Sequence, residues 1–514
     1  MKSPRILAVT PLLALITQVA SAALPVVSPL AASAETTFQA SDTPNFIGQF
    51  SQRLLSDLVT TPVKNSTYIR DTVLGTSVRG AVNTRGVVFP LLVPNTQKGV
   101  LQLRFSGTSV SPSLVGQNGP ATIYSSAVTN STMAKTVVFD DRGIRHLPTE
   151  GTTRSQVNID GVSANRRLVK FIARRRANGS RGQAQAVTSA RTKAELKREI
   201  DKGAKEPLLT AQDYFVNEFQ LPLKERNASP KYLRFRSTKD HLHLAMQQLG
   251  RTAIAQPTSS PVVNPQHDLA FGVHQAAITG LYEVFYGGEV VNDRDWLQAM
   301  DTLTGDEPAP LRITSQTPRW SVRFTKILPV EVRFEESSAC IELRFDQVKQ
   351  AAKVIDGKFT LSVRYLLAKD AGGPRGTRQG EILVSVAGEG VSEEENAELI
   401  EFLRAKFAGV FLPTLALADV VPPTDDLFSK LEKLTMAELT AKDGWLVAGY
   451  QLPRSKTMLV KNASPKKQPV STVSRITKQD LDAVEARLTK AAEKHEMARR
   501  ALPYVQRARK KSCH

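Results

Sequence analysis

The chain has 514 residues and a mass of 56.2 kDa, with 41% hydrophobic and 23% charged residues. That balance suits two or three folded domains and excludes wholesale disorder, collagen-like repeats and long coiled coils. Lys and Arg total 68 against 49 Asp and Glu, a net charge of +19, and two cysteines, Cys340 and Cys513, exclude a disulfide scaffold.

Lys2 and Arg5 precede an uncharged, mostly apolar run from Ile6 to Ala20, which ends in Ala20-Ser21-Ala22. A second small-residue site, Ala32-Ser33-Ala34, follows. The pattern is that of a signal peptide over residues 1–34, cleaved after 22 or 34, and it predicts export to the periplasm or beyond. No cysteine follows the apolar run, so a lipid anchor is not expected, and no later run approaches the ~18 apolar residues of a spanning helix.

An N-terminal α+β domain is expected over 35–226. It opens with an amphipathic helix from Asn45 to Thr60, carried by Phe46, Ile47, Phe50, Leu54, Leu55 and Leu58. Strands are expected over Val73–Val82, Val87–Val93, Val100–Phe105, Thr122–Val128 and Thr136–Phe139, with Pro90 marking an edge or bulge. Asp140-Asp141-Arg142-Gly143 reads as a turn. A long basic helical segment spans 163–205, bent near Asn178-Gly179-Ser180.

Asn227-Ala228-Ser229-Pro230 marks the entry to a second α+β domain over 227–460. Tyr232–Phe235 and His241–Leu249 are strand-like, and a Pro/Ser loop follows at 256–265. Helices are expected over His267–Phe285 and Trp296–Leu303. The clearest signal is a meander of five strands with period two: Trp320/Val322/Phe324, Val330/Val332/Phe334, Ile341/Leu343/Phe345, Phe359/Leu361/Val363/Tyr365 and Ile382/Val384/Val386. Arg323, Glu331, Arg333, Glu342, Arg344 and Arg364 alternate with them, so one face is expected to be buried and the other charged and wet. Helices over Glu393–Phe407 and Thr424–Leu439 and a strand over Trp445–Tyr450 complete this domain. A linker and basic helical tail are expected over 461–514, with a charged helix from Thr477 to Leu502. The fold class is therefore α+β: two units, each an amphipathic helix packed on an antiparallel β-meander, plus the basic helix and the helical tail.

Local catalytic signatures for nucleotide binding, nucleophile elbows and zinc peptidases are absent from the sequence. His241 and His243 alternate on one strand face, which suits a metal only if a third ligand arrives, and His267, Asp268 and His274 are the nearby candidates. A solvated strand face beside Lys239 and Asp240 explains the pair more simply and is the reading preferred. Tyr124-Ser125-Ser126 lacks a local base, and Asp140-Asp141 is explained by a turn. No catalytic residue, metal site or cofactor is expected. Cys340 and Cys513 are not expected to pair.

The strongest partner signal is basic. Thirteen Lys/Arg and three acids lie between Arg166 and Lys205, and Arg166, Arg167, Lys170, Arg174, Arg175 and Arg176 crowd the first half. On a helix these form an anion-binding face, with Leu168, Phe171 and Ile172 left for packing. Phe171 is the single aromatic in the segment, and export removes the chain from most nucleic acid, so nucleic acid is disfavoured.

Ala121-Thr122-Ile123-Tyr124-Ser125-Ser126, Trp320-Ser321-Val322-Arg323-Phe324, Asp268-Leu269-Ala270 and Trp445-Leu446-Val447 resemble a family of large exported bacterial proteins with no assigned activity, over about residues 40 to 455. Tandem helix-and-meander units are also similar, in architecture, to the tubular lipid-binding superfamily. That resemblance implies a curved sheet wrapped on a helix around an apolar groove. The reading is an exported, non-catalytic binding or structural protein of the cell envelope, with an apolar ligand and an anionic polymer or membrane surface as partners. The alternative is a periplasmic hydrolase whose site is assembled from distant residues.

Overall fold

The computed structural model describes residues 43–453, apart from 252–254, 305–306, 371–372, 389–391 and 417–432. The expected leader, the tail from 461 and Cys513 lie outside the described residues, as does most of the helix expected over Thr424–Leu439.

The described residues form an α+β fold of three antiparallel sheets. The middle sheet has the order β18-β19-β10-β1-β9-β8. Its strands are β1 (Phe46–Ser51), β8 (Tyr232–Ser237), β9 (His241–Gln247), β10 (Leu269–His274), β18 (Thr435–Lys442) and β19 (Trp445–Gln451). Three of these correct the sequence reading. Phe46, Ile47 and Phe50 fit a helical stripe, but β1 is a strand paired on both sides, Phe50 opposite Leu242 and Leu269. Two ladders outweigh local helix propensity, and the helix starts only at α1 (Gln52–Val59). There the Ser51 hydroxyl caps it by accepting from the Leu54 N–H at 3.0 Å.

Residues 269–274 are likewise strand, squeezed between β1 and β19. The helix expected from His267 begins instead as α5 (Gln275–Tyr286), capped by His274, whose Nδ1 accepts from the Ala276 N–H at 3.2 Å. Residues 435–442 form β18 rather than a helix end. The hairpin into β19 turns at Asp443-Gly444, both with positive φ, +51° and +77°. Asp-Gly is the dipeptide that a two-residue hairpin of this hand favours.

A second sheet carries β2 (Thr61–Val73), β3 (Thr76–Leu92), β4 (Gly99–Asn118), β5 (Ala121–Asp140), β6 (Gly143–His146) and β7 (Glu150–Ala164), with β6 and β7 both paired to β5. The short strands expected here merge. Most of Val73–Val82 and Val87–Val93 lies in the single strand β3, with the turn from β2 falling inside the first of them, and β4 and β5 run 20 residues each. Pro90 lies past the end of β2, whose Thr61 pairs with Val88, so its missing N–H falls on an open edge as expected. The helix that packs on this meander follows it rather than precedes it. Beyond α2 (Arg167–Gly179) and a bend at Ser180, α3 (Arg181–Tyr214) runs 34 residues, about 51 Å. A π turn, Phe215–Gln220, and the short α4 (Leu221–Glu225) lead to β8.

The third sheet has the order β11-β12-β14-β15-β16-β17, with β13 paired to β14. Its strands are β11 (Val290–Asn292), β12 (Trp320–Phe324), β13 (Val330–Glu335), β14 (Ser338–Gln350), β15 (Lys353–Asp370), β16 (Gly373–Gly388) and β17 (Thr414–Ala416). Alternation is as the sequence predicts. Trp320, Val322, Phe324, Val332, Phe345, Phe359 and Leu361 are buried against α5, α6 (Asp293–Thr304) and α7 (Glu393–Phe407). Phe407 of α7 fills the interior, its ring 5.6 Å from Phe345 and 5.2 Å from Trp296. On the wet face Arg344 bridges Glu331 and Glu342, and Arg364 reaches Glu335 at 2.6 Å.

Candidate functional site

Odd-numbered residues of β2 (Val63, Ile69, Val73) face inward, joined by Val78, Val82 and Val88 of β3, Leu101, Leu103, Phe105 and Leu114 of β4, and Ala127, Val137 and Phe139 of β5. Across from them α3 presents Leu196, Ile200, Ala204, Leu208 and Ala211, spaced by three or four residues and hence on one helical stripe. Sheet and helix are pinned at both edges. Thr153 of β7 donates to the Ser189 carbonyl at 2.7 Å, and Arg191 of α3 pairs with Asp71 of β2. Between the pins lies an apolar groove of about 1590 Å³. That exceeds the ~300–1,000 Å³ usual for small-molecule sites.

Local sequence features hold the groove open. Gly86 and Gly107 pair across β3 and β4, and a Cβ on Gly86 would meet Phe105 Cε2 at 2.6 Å and Gly107 Cα at 2.9 Å. The two glycines let the Phe105 ring lie against the backbone instead of standing into the space. Buried hydroxyls on the inner face are paired with each other: Thr84 with Ser109 and Thr129 with Ser155, each at 2.8 Å. These four hydroxyls therefore carry no open hydrogen-bond demand that would repel an apolar occupant.

One charge lies deep in this region. Lys135 of β5 is 2% exposed, and its ammonium donates to Asp201 of α3 at 2.6 Å. Burial raises the Asp201 pKa, but the Lys135 ammonium and two hydrogen bonds from Thr149 outweigh that and hold the carboxyl below its ordinary value. The pair is a clasp between helix and sheet.

The six sequence-predicted anion-binding residues sit together. Arg166 is the N-cap of α2, and Arg167, Lys170, Arg174, Arg175 and Arg176 lie within it, all exposed. Among the described residues none of the six forms an ion pair. The apolar residues expected to pack do not: Leu168 is 70%, Phe171 64% and Ile172 55% exposed. The half-buried stripe is Val169, Ala173 and Ala177, four residues apart, so small side chains take the contact and the large ones project outward.

The other candidates are engaged individually. Ser126 donates to Asp160 at 3.1 Å. Asp140 receives Arg145 and caps its own turn through the Arg142 N–H. The His241 and His243 rings lie 5.8 Å apart; burial depresses both, and His243 falls to about 3 with help from Arg236. The face expected to be solvated is thus half-buried. His267 bonds Glu438 at 2.7 Å, and Asp268 accepts from Ser51 at 2.8 Å. No group of three or more His, Cys, Asp or Glu among the described residues could hold a metal, and no helix among them is long and apolar enough to cross a membrane.

No family model matches the chain, and no curated protein matches it. Among solved structures it is similar to lipopolysaccharide binding protein, at 11% identity and a TM-score of 0.30, over 80% of this chain and 99% of that one. It is also similar to P47 from Clostridium botulinum A2, at 8% identity and 0.23 over 79% and 97% of the two chains. P47 of Clostridium botulinum E1 gives 7% identity and 0.24 over 80% and 99%.

Proposed function

We propose that this protein is an exported, non-catalytic carrier of a lipid-like ligand in the cell envelope. The observation that carries the reading is the contrast between two sheets of one chain. The third sheet closes over a solid aromatic core, whereas the second closes over an apolar volume of about 1590 Å³ that its side chains leave unfilled. An apolar space of that size, walled mainly by Val, Leu, Ile and Phe, with charged residues such as Arg191 and Asp71 among its lining, favours long hydrocarbon chains by the hydrophobic effect. The basic helix α2 supports the second half of the reading, docking to an anionic polymer or membrane. Six exposed cations on one short helix are unmatched by acids on it, and each contributes about 1 kcal/mol near an anionic surface.

The test is native mass spectrometry of gently purified protein, followed by organic extraction. A co-purifying lipid, displaced by a neutral apolar fluorophore, upholds the carrier reading. A protein that is empty and also takes up no such fluorophore overturns it.

A further inference from the structure

A second cavity, of about 850 Å³, lies on the other side of the β5–β6 hairpin from the groove. The two spaces share that hairpin: Phe139 and Ile144 line the groove, while Asp140, Arg142 and Arg145 line the cavity. Its walls come from four places in the chain: the β3–β4 loop, the β5–β6 turn, the π turn with α4, and the approach to β8. Each brings a cation, namely Lys98, Arg142, Arg145, Lys224, Lys231 and Arg234, against two carboxylates among the described residues, Asp140 and Asp141.

One of those carboxylates is already neutralised. Asp140 receives Arg145 directly and Lys98 at 4.0 Å. Among the described residues no ion pair engages Arg142 or Lys224. The turn is also braced from within the cavity wall, since Gln220 donates to the Asp141 carbonyl at 3.0 Å. On another wall Arg234 stacks over the Tyr232 ring at 4.4 Å, which helps to fix the guanidinium in place. A concave surface with an excess of one sign of charge focuses potential into its centre, and guanidinium groups match phosphate oxygens in pairs.

We propose that this cavity binds a phosphate-bearing group. The chemistry is the same whether the phosphate is the headgroup of an amphiphile whose chains lie in the groove or a free phosphate ester. The first source rests on the carrier reading; the second does not.

The experiment titrates the full chain with inorganic pyrophosphate at physiological salt by calorimetry. Arg142→Glu/Lys224→Glu, both at exposed positions, is compared with Arg175→Glu/Arg176→Glu on α2, which changes net charge equally. The pocket variant is expected to bind pyrophosphate about tenfold more weakly or worse, with the helix variant unchanged. Equal losses in both variants, or no binding by the unmodified chain, overturn the proposal. A parallel arm loads the same proteins with phosphatidic acid and with diacylglycerol. Loss of phosphatidic acid alone in the pocket variant assigns the site to a lipid headgroup; unchanged loading of both, with pyrophosphate binding lost, assigns it to a free phosphate. If neither lipid loads and pyrophosphate still binds, the carrier reading fails and the phosphate site stands.

Discussion

Lys135 shows how a single side chain can hold a helix to a sheet at a fixed cost. A buried ammonium is tolerable only while Asp201 and the Leu147 carbonyl, at 3.3 Å, remain in reach. Asp201→Asn is therefore expected to destabilise the protein by about 3 kcal/mol in urea titrations, the low end for an orphaned buried charge, because Asp201 itself is partly exposed. Replacing both partners, Lys135→Met with Asp201→Leu, is expected to recover most of that loss. The Asp201 carboxyl, with its folded pKa below 3.8, contributes stability that is complete above 3.8 and disappears as pH falls through the lower folded value. Histidines act in a higher window. Burial lowers His274 from 6.5 to about 4, and protonation would also remove the acceptor that caps α5. Below 6.5 the unfolded chain takes a proton that the folded chain refuses, so stability drops by about 1.4 kcal/mol per pH unit until the folded value is reached. His274→Asn keeps a capping acceptor and removes the titration. Its stability measured from about pH 6.5 down to about pH 4 should fall less steeply than that of the parent by this slope; identical slopes would refute the assignment.

At the scale of elements, α2 combines two features that soluble helices rarely show together, an exposed apolar triad and an unpaired cationic flank. Arg174→Glu/Arg175→Glu/Arg176→Glu should abolish sedimentation with anionic vesicles, and rising salt should mimic it. Leu168→Ser/Phe171→Ser should leave thermal stability within about 0.5 kcal/mol, since neither side chain is buried. That second variant separates the two docking partners: loss of vesicle binding with retained polymer binding points to a bilayer, and retention of both points to a polymer. The periodicity of residues 166–176 identified the helix and its charge, yet assigned the contact face to the large residues because size usually decides it. Here Val169, Ala173 and Ala177 take it instead. The third sheet was legible almost strand by strand, because one buried face imposes strict alternation. The flanks of the second sheet were not. Thr61–Val73 and Glu150–Ala164 are rich in Thr, Ser and Asn; the inward face of the first borders a groove rather than a core, and the second buries only Ser155, Val157 and Val162, so their apolar alternation is diluted. Residues 46–51 and 269–274 were misread for another reason. Their strand state comes from partners about 200 residues away, which no local window contains.

The whole molecule uses one construction principle with two outcomes, an antiparallel meander closed by helices, packed solid in one place and left open in another. Chemical composition sets the difference. The third sheet turns Phe324, Phe345, Phe359 and Tyr365 inward and meets Phe407 from α7, while the second turns mainly Val, Leu and Ala inward and meets Ala194, Ala204 and Ala211 from α3. Truncation should therefore cost unequally in the two places. Phe345→Ala is 0% exposed and leaves a cavity among aromatic rings, so about 3–5 kcal/mol should be lost. Leu103→Ala borders space that already exists, and should cost about 1 kcal/mol, the transfer of its methyl groups without a new void. Enlarging side chains should reverse the asymmetry. Overpacking the third sheet is expected to destabilise it by about 1–3 kcal/mol. Ala204→Phe on the groove side of α3 has room to be accommodated, so stability of the ligand-free protein should hold or rise while uptake of an apolar fluorophore falls. An Ala204→Phe protein that is strongly destabilised would mean that the groove closes in solution, and with it the space on which the carrier reading rests.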